Sequence, residues 1–164
     1  MINKIIFLFV TLFGIGKIRK IPGSIASLAT TIFIFFLLHI LKISPNFVLI
    51  FIIIIFFISL YAVNIFIKDL DNKDPKEVVI DEFIGQSIPI CLYEIAHEGT
   101  KETSQILTSY FIMFILFRIF DIVKPYPVSY YDKNFKNSFG VVMDDVAAGL
   151  YVVAVLVLYM VLTS

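Results

Sequence analysis

Apolar and polar positions along this chain fall in blocks rather than alternating residue by residue. Three long apolar runs, at about 24–41, 46–67 and 146–163, approach the roughly 20 residues that an α-helix needs to cross a bilayer. Two weaker runs accompany them. Ile106 to Phe120 is apolar and aromatic but shorter, and Phe83 to Ala96 carries Gln86, Pro89 and Glu94, which predicts a partly buried or broken helix. The runs are rich in Ile, Phe and Val, residues that favour strands in water. In lipid the backbone must satisfy its own hydrogen bonds, and that requirement overrides propensity. A closed barrel would need alternating polar lumen positions, which are missing. The pattern predicts an all-α, multi-span helical membrane bundle with three long spans and two shorter or broken helices, in a single domain over residues 1–164.

Composition agrees. Hydrophobic residues make up 60% of the chain and charged ones 16%, with a mean hydropathy of +0.98, so there is more apolar surface than one small core can hide. The formal net charge of zero argues against a nucleic-acid partner, since phosphate-backbone affinity needs an excess of Lys and Arg. Cys91 is the single cysteine and lies in an apolar run, so an intrachain disulfide is excluded and a Cys-based zinc site is unsupported. The start, Met1 to Lys4 and then IIFLFVTLF, resembles a secretory signal, but GIGKIRK follows instead of a small-residue cleavage site. A retained segment is expected there. The lengths of 1–13 and 83–96 allow each to span, re-enter or lie at the interface.

The polar segments divide between two sides. If 14–23, 68–82 and 118–145 share one side, then 42–46 and 97–104 fall on the other. The first side holds Lys17, Arg19, Lys20, Lys68, Lys73, Lys76, Arg118, Lys124, Lys133 and Lys136; the second holds Lys42 and Lys101. The positive-inside rule places the first side in the cytoplasm.

That side also collects Asp69, Asp71, Asp74, Glu77, Asp81, Glu82, Asp121, Asp132, Asp144 and Asp145. The run from Asp69 to Glu77 reads as a solvated rim. Asp81, Glu82, Asp121, Asp144 and Asp145 differ, because each is fused to an apolar run: VVIDEFIG, FRIFDIVKP and FGVVMDDVAAG. Carboxylates at the hydrocarbon boundary are costly unless paired or bound to a cation. Five of them from three segments point to a hard-cation site, and Mg²⁺ fits best, because it takes oxygen ligands and bridges to substrate phosphate. In each adjacent pair one acid can ligate metal while the other holds a water or an outer partner.

Arg118 lies one turn before Asp121 and Lys124 three residues after it, so the three share a helix face if the helix reaches Lys124 before Pro125 and Pro127 end it. The guanidinium either neutralises acids or clamps a phosphate. The first loop, GIGKIRKIPGSIASL, sets Lys17, Arg19, Lys20, Ser24 and Ser27 among glycines before a helix start. It reads either as an anion site or as a basic turn at an anionic lipid surface, and it is neither a Walker A loop nor a dinucleotide fingerprint. His39 and His97 map to the other side, which argues against phosphoryl transfer through histidine. Asp69-Leu-Asp71 looks like the start of an aspartyl-phosphate motif but follows a membrane span, so it is taken as coincidence.

Three segments together, GIGKIRKIPGSIASL, VVIDEFIGQ and FRIFDIVKPYPVSYYDKNFKNSFGVVMDDVAAG, resemble the phosphatidylglycerophosphatase A family of bacterial membrane phosphatases. Their order covers nearly the whole chain. The resemblance implies Mg²⁺-dependent hydrolysis of phosphatidylglycerophosphate to phosphatidylglycerol and inorganic phosphate at the cytoplasmic face of a bacterial inner membrane. It carries Asp81, Glu82, Asp121, Asp144 and Asp145 as the acidic motif residues, with Arg118 and Lys124 beside them; Lys20 and Ser24 join these as candidate phosphate-binding residues. Ser24 stands where the family often has Thr, Asn137-Ser138 where it often has Gly-Gly, and Arg19 where Pro is frequent. Two other readings fit the motifs less well. A CDP-alcohol phosphotransferase would show a DG-x-x-AR motif, which is absent, and a divalent-cation transporter would carry acids near the middle of its spans. Oligomeric state is not legible from the chain.

Overall fold

The computed structural model describes residues 2–97 and 102–163; Lys101, assigned above to the sparsely charged side, lies outside them. Its helices are α1 (Ile2–Val10), α2 (Pro22–Phe35, continued by a π-turn over Phe36–Ile40), α3 (Pro45–Ile67), α4 (Ile80–Ala96), α5 (Thr103–Val123), α6 (Val128–Asn134) and α7 (Ser138–Thr163). No strand occurs among the described residues.

Four helices are long and apolar enough to cross a membrane: Pro22–Ile40, Pro45–Ile67, Thr103–Val123 and Ser138–Leu162. One expectation changes here. The apolar run at 106–120 belongs to a helix of 21 residues, because Glu102 and Gln105 form a capping box that starts it early and Arg118 and Asp121 ride in its last turns. The final span likewise begins at Ser138, so Asp144 and Asp145 lie inside a helix rather than before one. α1 has nine residues, about 14 Å, too short to cross the hydrocarbon core. Its end is tied to the start of α4, where the Val79 N–H donates to the Val10 carbonyl at 2.9 Å.

The weak run at 83–96 is the centre of the bundle. α4 is packed by α2, α3, α5 and α7 and buries Ile84, Gln86, Ser87, Ile90 and Cys91 completely or nearly so. A polar helix shielded from lipid by four apolar ones needs no continuous apolar surface of its own. Pro89 removes the N–H that would bond the Gly85 carbonyl. A Cβ on Gly149 would lie 2.3 Å from that carbonyl oxygen, and a Cβ on Gly85 would lie 2.5 Å from the Asp145 carbonyl oxygen. Two glycines therefore let the α4 and α7 backbones touch, with a Cα–H of Gly149 facing the freed carbonyl.

Several hydroxyls in the first span are satisfied locally. Ser27, Thr30 and Thr31 donate to carbonyls one turn back, and the Lys73 ammonium closes the end of α3 through the Ile67 and Lys68 carbonyls at 3.0 Å each. His39 lies in the π-turn at the end of the first span and meets Tyr110 and Glu94, at the opposite end of the bundle from the acids discussed next. His97 contacts Tyr93 there.

Candidate active site

At the end where α2, α4 and α7 begin and α5 finishes, the helices bring together side chains as many as 91 residues apart in sequence. Asp81 and Glu82 occupy the first turn of α4, and Asp145 the second turn of α7. Each of the three offers a carboxylate oxygen, and these oxygens all lie within 4.8 Å of one another. The glycine contact is what permits this. Gly85 lies one turn below Asp81 and abuts the Asp145 backbone, so the Asp145 side chain, tilted toward the start of its helix, meets Asp81. Asp81 and Asp145 are buried, at 7% and 3% exposure.

The other two acids are engaged differently. Asp121 Oδ2 accepts from Arg118 Nη1 at 2.9 Å, and Asp144 Oδ2 accepts from the Lys124 ammonium at 2.7 Å. The five acids thus divide into a cluster of three and two that each hold a cation. The helix does not reach Lys124: α5 ends at Val123 and Lys124 takes the left-handed conformation, φ 47°. The shared face expected for Arg118, Asp121 and Lys124 does not form. Lys124 swings instead to α6 and α7, donating to Asp132 Oδ1 and to Asp144 Oδ2, both at 2.7 Å. Burial alone would lower the Lys124 ammonium, but the Asp144 and Asp132 carboxylates outweigh it and hold the group above the usual lysine range. Partial burial would raise Asp132, yet the Lys124 bond and charge pull it below its ordinary value of 3.8.

α2 closes the other wall. Pro22 starts it, Ile21 before it is held at φ 49°, and Gly23 packs so closely that a Cβ there would sit 2.1 Å from Glu82 Oε1 and 3.4 Å from Arg118 Nη1. Ser27, one turn deeper, accepts from Arg118 Nη1 at 3.3 Å. Ser24 is half-buried in the first turn of α2, and Lys20 is exposed on the preceding loop. Neither is joined to the acid cluster by a hydrogen bond or ion pair among the described contacts.

Gly23 and Ser27 stand in the glycine-rich basic loop read from the sequence as an anion site or a lipid-surface turn, whereas Asp132 and Gln86 were not among the candidate site residues. Gln86 is fully buried one turn beneath Glu82, and neither of its amide atoms has a partner. Glu82 Oε2 and Arg118 Nε are also buried without partners. A glutamine four residues after Glu82 in an apolar run was the available signal, and Ser27 lies one turn beyond Gly23; Asp132, in YYDKN, has no apolar flank to mark it.

Can this cluster hold a cation? Among the described residues no lysine or arginine ion-pairs with Asp81, Glu82 or Asp145. Three adjacent carboxylates in a protected site are electrostatically unfavourable by themselves, and an oxygen-only donor set of this kind suits a hard divalent ion such as Mg²⁺. The residues fit the group.

Four membrane-length helices around a polar central helix, with carboxylates and a guanidinium gathered at one end, define a membrane protein with an acidic, anion-competent site. Residues 8–160 match the family model described as phosphatidylglycerophosphatase A, and the chain belongs to that family. It is a phosphatase, a phosphoric monoester hydrolase. It is similar to a Haemophilus influenzae protein named phosphatidylglycerophosphatase A, 36% identical over 143 residues, which are 87% of this chain and 81% of the relative. An Escherichia coli K12 protein of the same name is 29% identical over 138 residues, covering 84% of this chain and 73% of its own. No solved structure matches.

Proposed function

We propose that the protein hydrolyses the terminal phosphate monoester of phosphatidylglycerophosphate, giving phosphatidylglycerol and inorganic phosphate, with Mg²⁺ held by Asp81, Glu82 and Asp145. The observation that carries this reading is the convergence of those three carboxylates within 4.8 Å, unpaired by any described cation, where the start of the central helix α4 meets the first turns of the membrane-length α7. Bound there, Mg²⁺ supplies Lewis acidity and charge neutralisation to the phosphoryl group.

The chain's own residues do the rest. Arg118 is steadied by Asp121 and Ser27 and keeps its Nε–H available, so its guanidinium takes the non-bridging phosphoryl oxygens. The first turn of α2, with Ser24, adds backbone donors and the positive end of the helix dipole. Lys20 stands at the rim and attracts the anionic headgroup. Lys124 and Asp132 hold Asp144, and with it the start of α7, in register. A water attacks phosphorus opposite the glycerol oxygen, the bond from phosphorus to that oxygen breaks, and the glycerol hydroxyl departs with a proton. The acyl chains remain in the leaflet from which the headgroup enters. The excess of basic residues beside this site orients it to the cytoplasm, in a bacterial inner membrane.

The test is phosphate release from phosphatidylglycerophosphate in detergent, with Mg²⁺ and with a chelator. Wild-type protein should release phosphate only with Mg²⁺. Asp81→Asn and Asp145→Asn should each insert normally and lose that release. Near-normal turnover in both variants overturns the reading, and metal transport without hydrolysis would favour a cation carrier.

A further inference from the structure

Beside the acid cluster lies a concavity. A groove of about 830 Å³ opens between the loop that precedes α2 and the loop that joins α3 to α4. Its apolar wall includes Phe7, Phe66 and Leu70, and its cations are Lys17, Arg19 and Lys76. The two acids that also line it, Asp71 and Glu77, are outnumbered. All three cations are exposed, and the Lys17 ammonium is seated 4.7 Å from the centre of the Phe7 ring.

Position gives the groove its meaning. At one end Phe66 belongs to the last turn of α3, so the groove starts at the hydrocarbon boundary. At the other end it is lined by Pro22, the residue before Gly23, whose backbone abuts the Glu82 carboxylate. Phe13, Ile18 and Ile21, exposed at 87%, 42% and 68%, project from the same loop and suit immersion among lipid headgroups and upper acyl carbons.

We propose that this groove binds the phosphodiester portion of an anionic phospholipid, with Lys17 and Arg19 on the diester oxygens and the first acyl carbons against Phe7 and Phe66. The inference rests on the phosphatase reading for its substrate and deepens it. A lipid with a terminal monoester on a glycerol has three recognisable parts: the monoester, the bridging diester and the chains. The carboxylate cluster serves the first and the groove serves the other two. The groove therefore selects a lipid carrying a second phosphate over one whose monoester joins the diacylglycerol directly.

The test compares wild-type full-length protein with a Lys17→Gln/Arg19→Gln double variant, both changes being on exposed side chains. KM for phosphatidylglycerophosphate should rise about tenfold or more, the loss expected from removing charge-assisted phosphate contacts, with kcat unchanged. Hydrolysis of phosphatidic acid, which lacks the bridging diester, should be unaffected. An equal loss on both lipids, or no change on either, overturns the proposal. A binding arm needs no turnover: short-chain phosphatidylglycerol, which has the diester and no monoester, should bind wild-type protein and bind the double variant at least about tenfold more weakly. Unchanged binding in the variant, or none by wild type, overturns the groove; binding that depends on Lys17 and Arg19 in a protein without hydrolysis overturns only the phosphatase reading.

Discussion

Gly23 and Glu82 show how finely single residues set this site. A methyl group at Gly23 would meet the end of the flexible Glu82 side chain rather than backbone, so the carboxylate can move aside. Gly23→Ala should therefore cost little stability, on the order of 1 kcal/mol or less, while lowering turnover and Mg²⁺ affinity. Thermal melting in detergent and a Mg²⁺ titration of phosphate release check this; a large fall in melting temperature with kinetics intact would contradict it. Lys124 is the opposite case. It joins two carboxylates at 2.7 Å from a left-handed backbone position, and Lys124→Met would leave the 9%-exposed Asp144 without its cation. A loss of order 3–5 kcal/mol is expected from breaking a mostly buried pair on one side, read as a strongly lowered melting temperature.

Between elements, the decisive contact is backbone on backbone. Gly85→Ala would drive a Cβ into the Asp145 carbonyl, which has no rotamer to escape through, so α4 and α7 must separate. That should cost about 1–3 kcal/mol and also disperse Asp81 from Asp145, so stability and activity fall together. The tether of α6 is electrostatic. Because the folded Asp132 value lies below its ordinary 3.8, its contribution is fully present above that pH and is lost as pH falls through the lowered value. The stability difference between wild type and Asp132→Asn should therefore be constant near neutral pH and shrink below about pH 4. A difference that instead grew on acidification would show that Lys124 is not its partner.

At the scale of the whole molecule, the arrangement places Asp69 and Lys133 on the site-bearing side and Asn46 on the other. Cys91 is fully buried, so it provides a silent background for cysteine labelling. In oriented vesicles or intact cells, Asp69→Cys and Lys133→Cys should react only from the cytoplasmic side and Asn46→Cys only from the opposite side. Labelling of Asn46→Cys and Lys133→Cys from one side would refute the orientation.

Spans and the acidic segments were legible in the chain because each depends on local quantities: the length of an apolar run, and carboxylates joined to apolar residues. The helix ends at Thr103 and Ser138 were less so, since polar residues within a helix break an apolar run without breaking the helix. The role of α4 was hidden for the same reason: its polarity reads as weakness until four apolar helices are seen around it. Which acids cluster could not be read at all. Asp81, Glu82 and Asp145 meet, and Asp121 and Asp144 do not join them, because of the Gly85–Gly149 approach and the turn at Lys124. The sequence by itself determined a helical membrane protein with its charged chemistry on one side; the tertiary structure alone decided how five acids divide into a three-carboxylate cluster and two cation holders, because that division rests on distances between helices that no local pattern encodes.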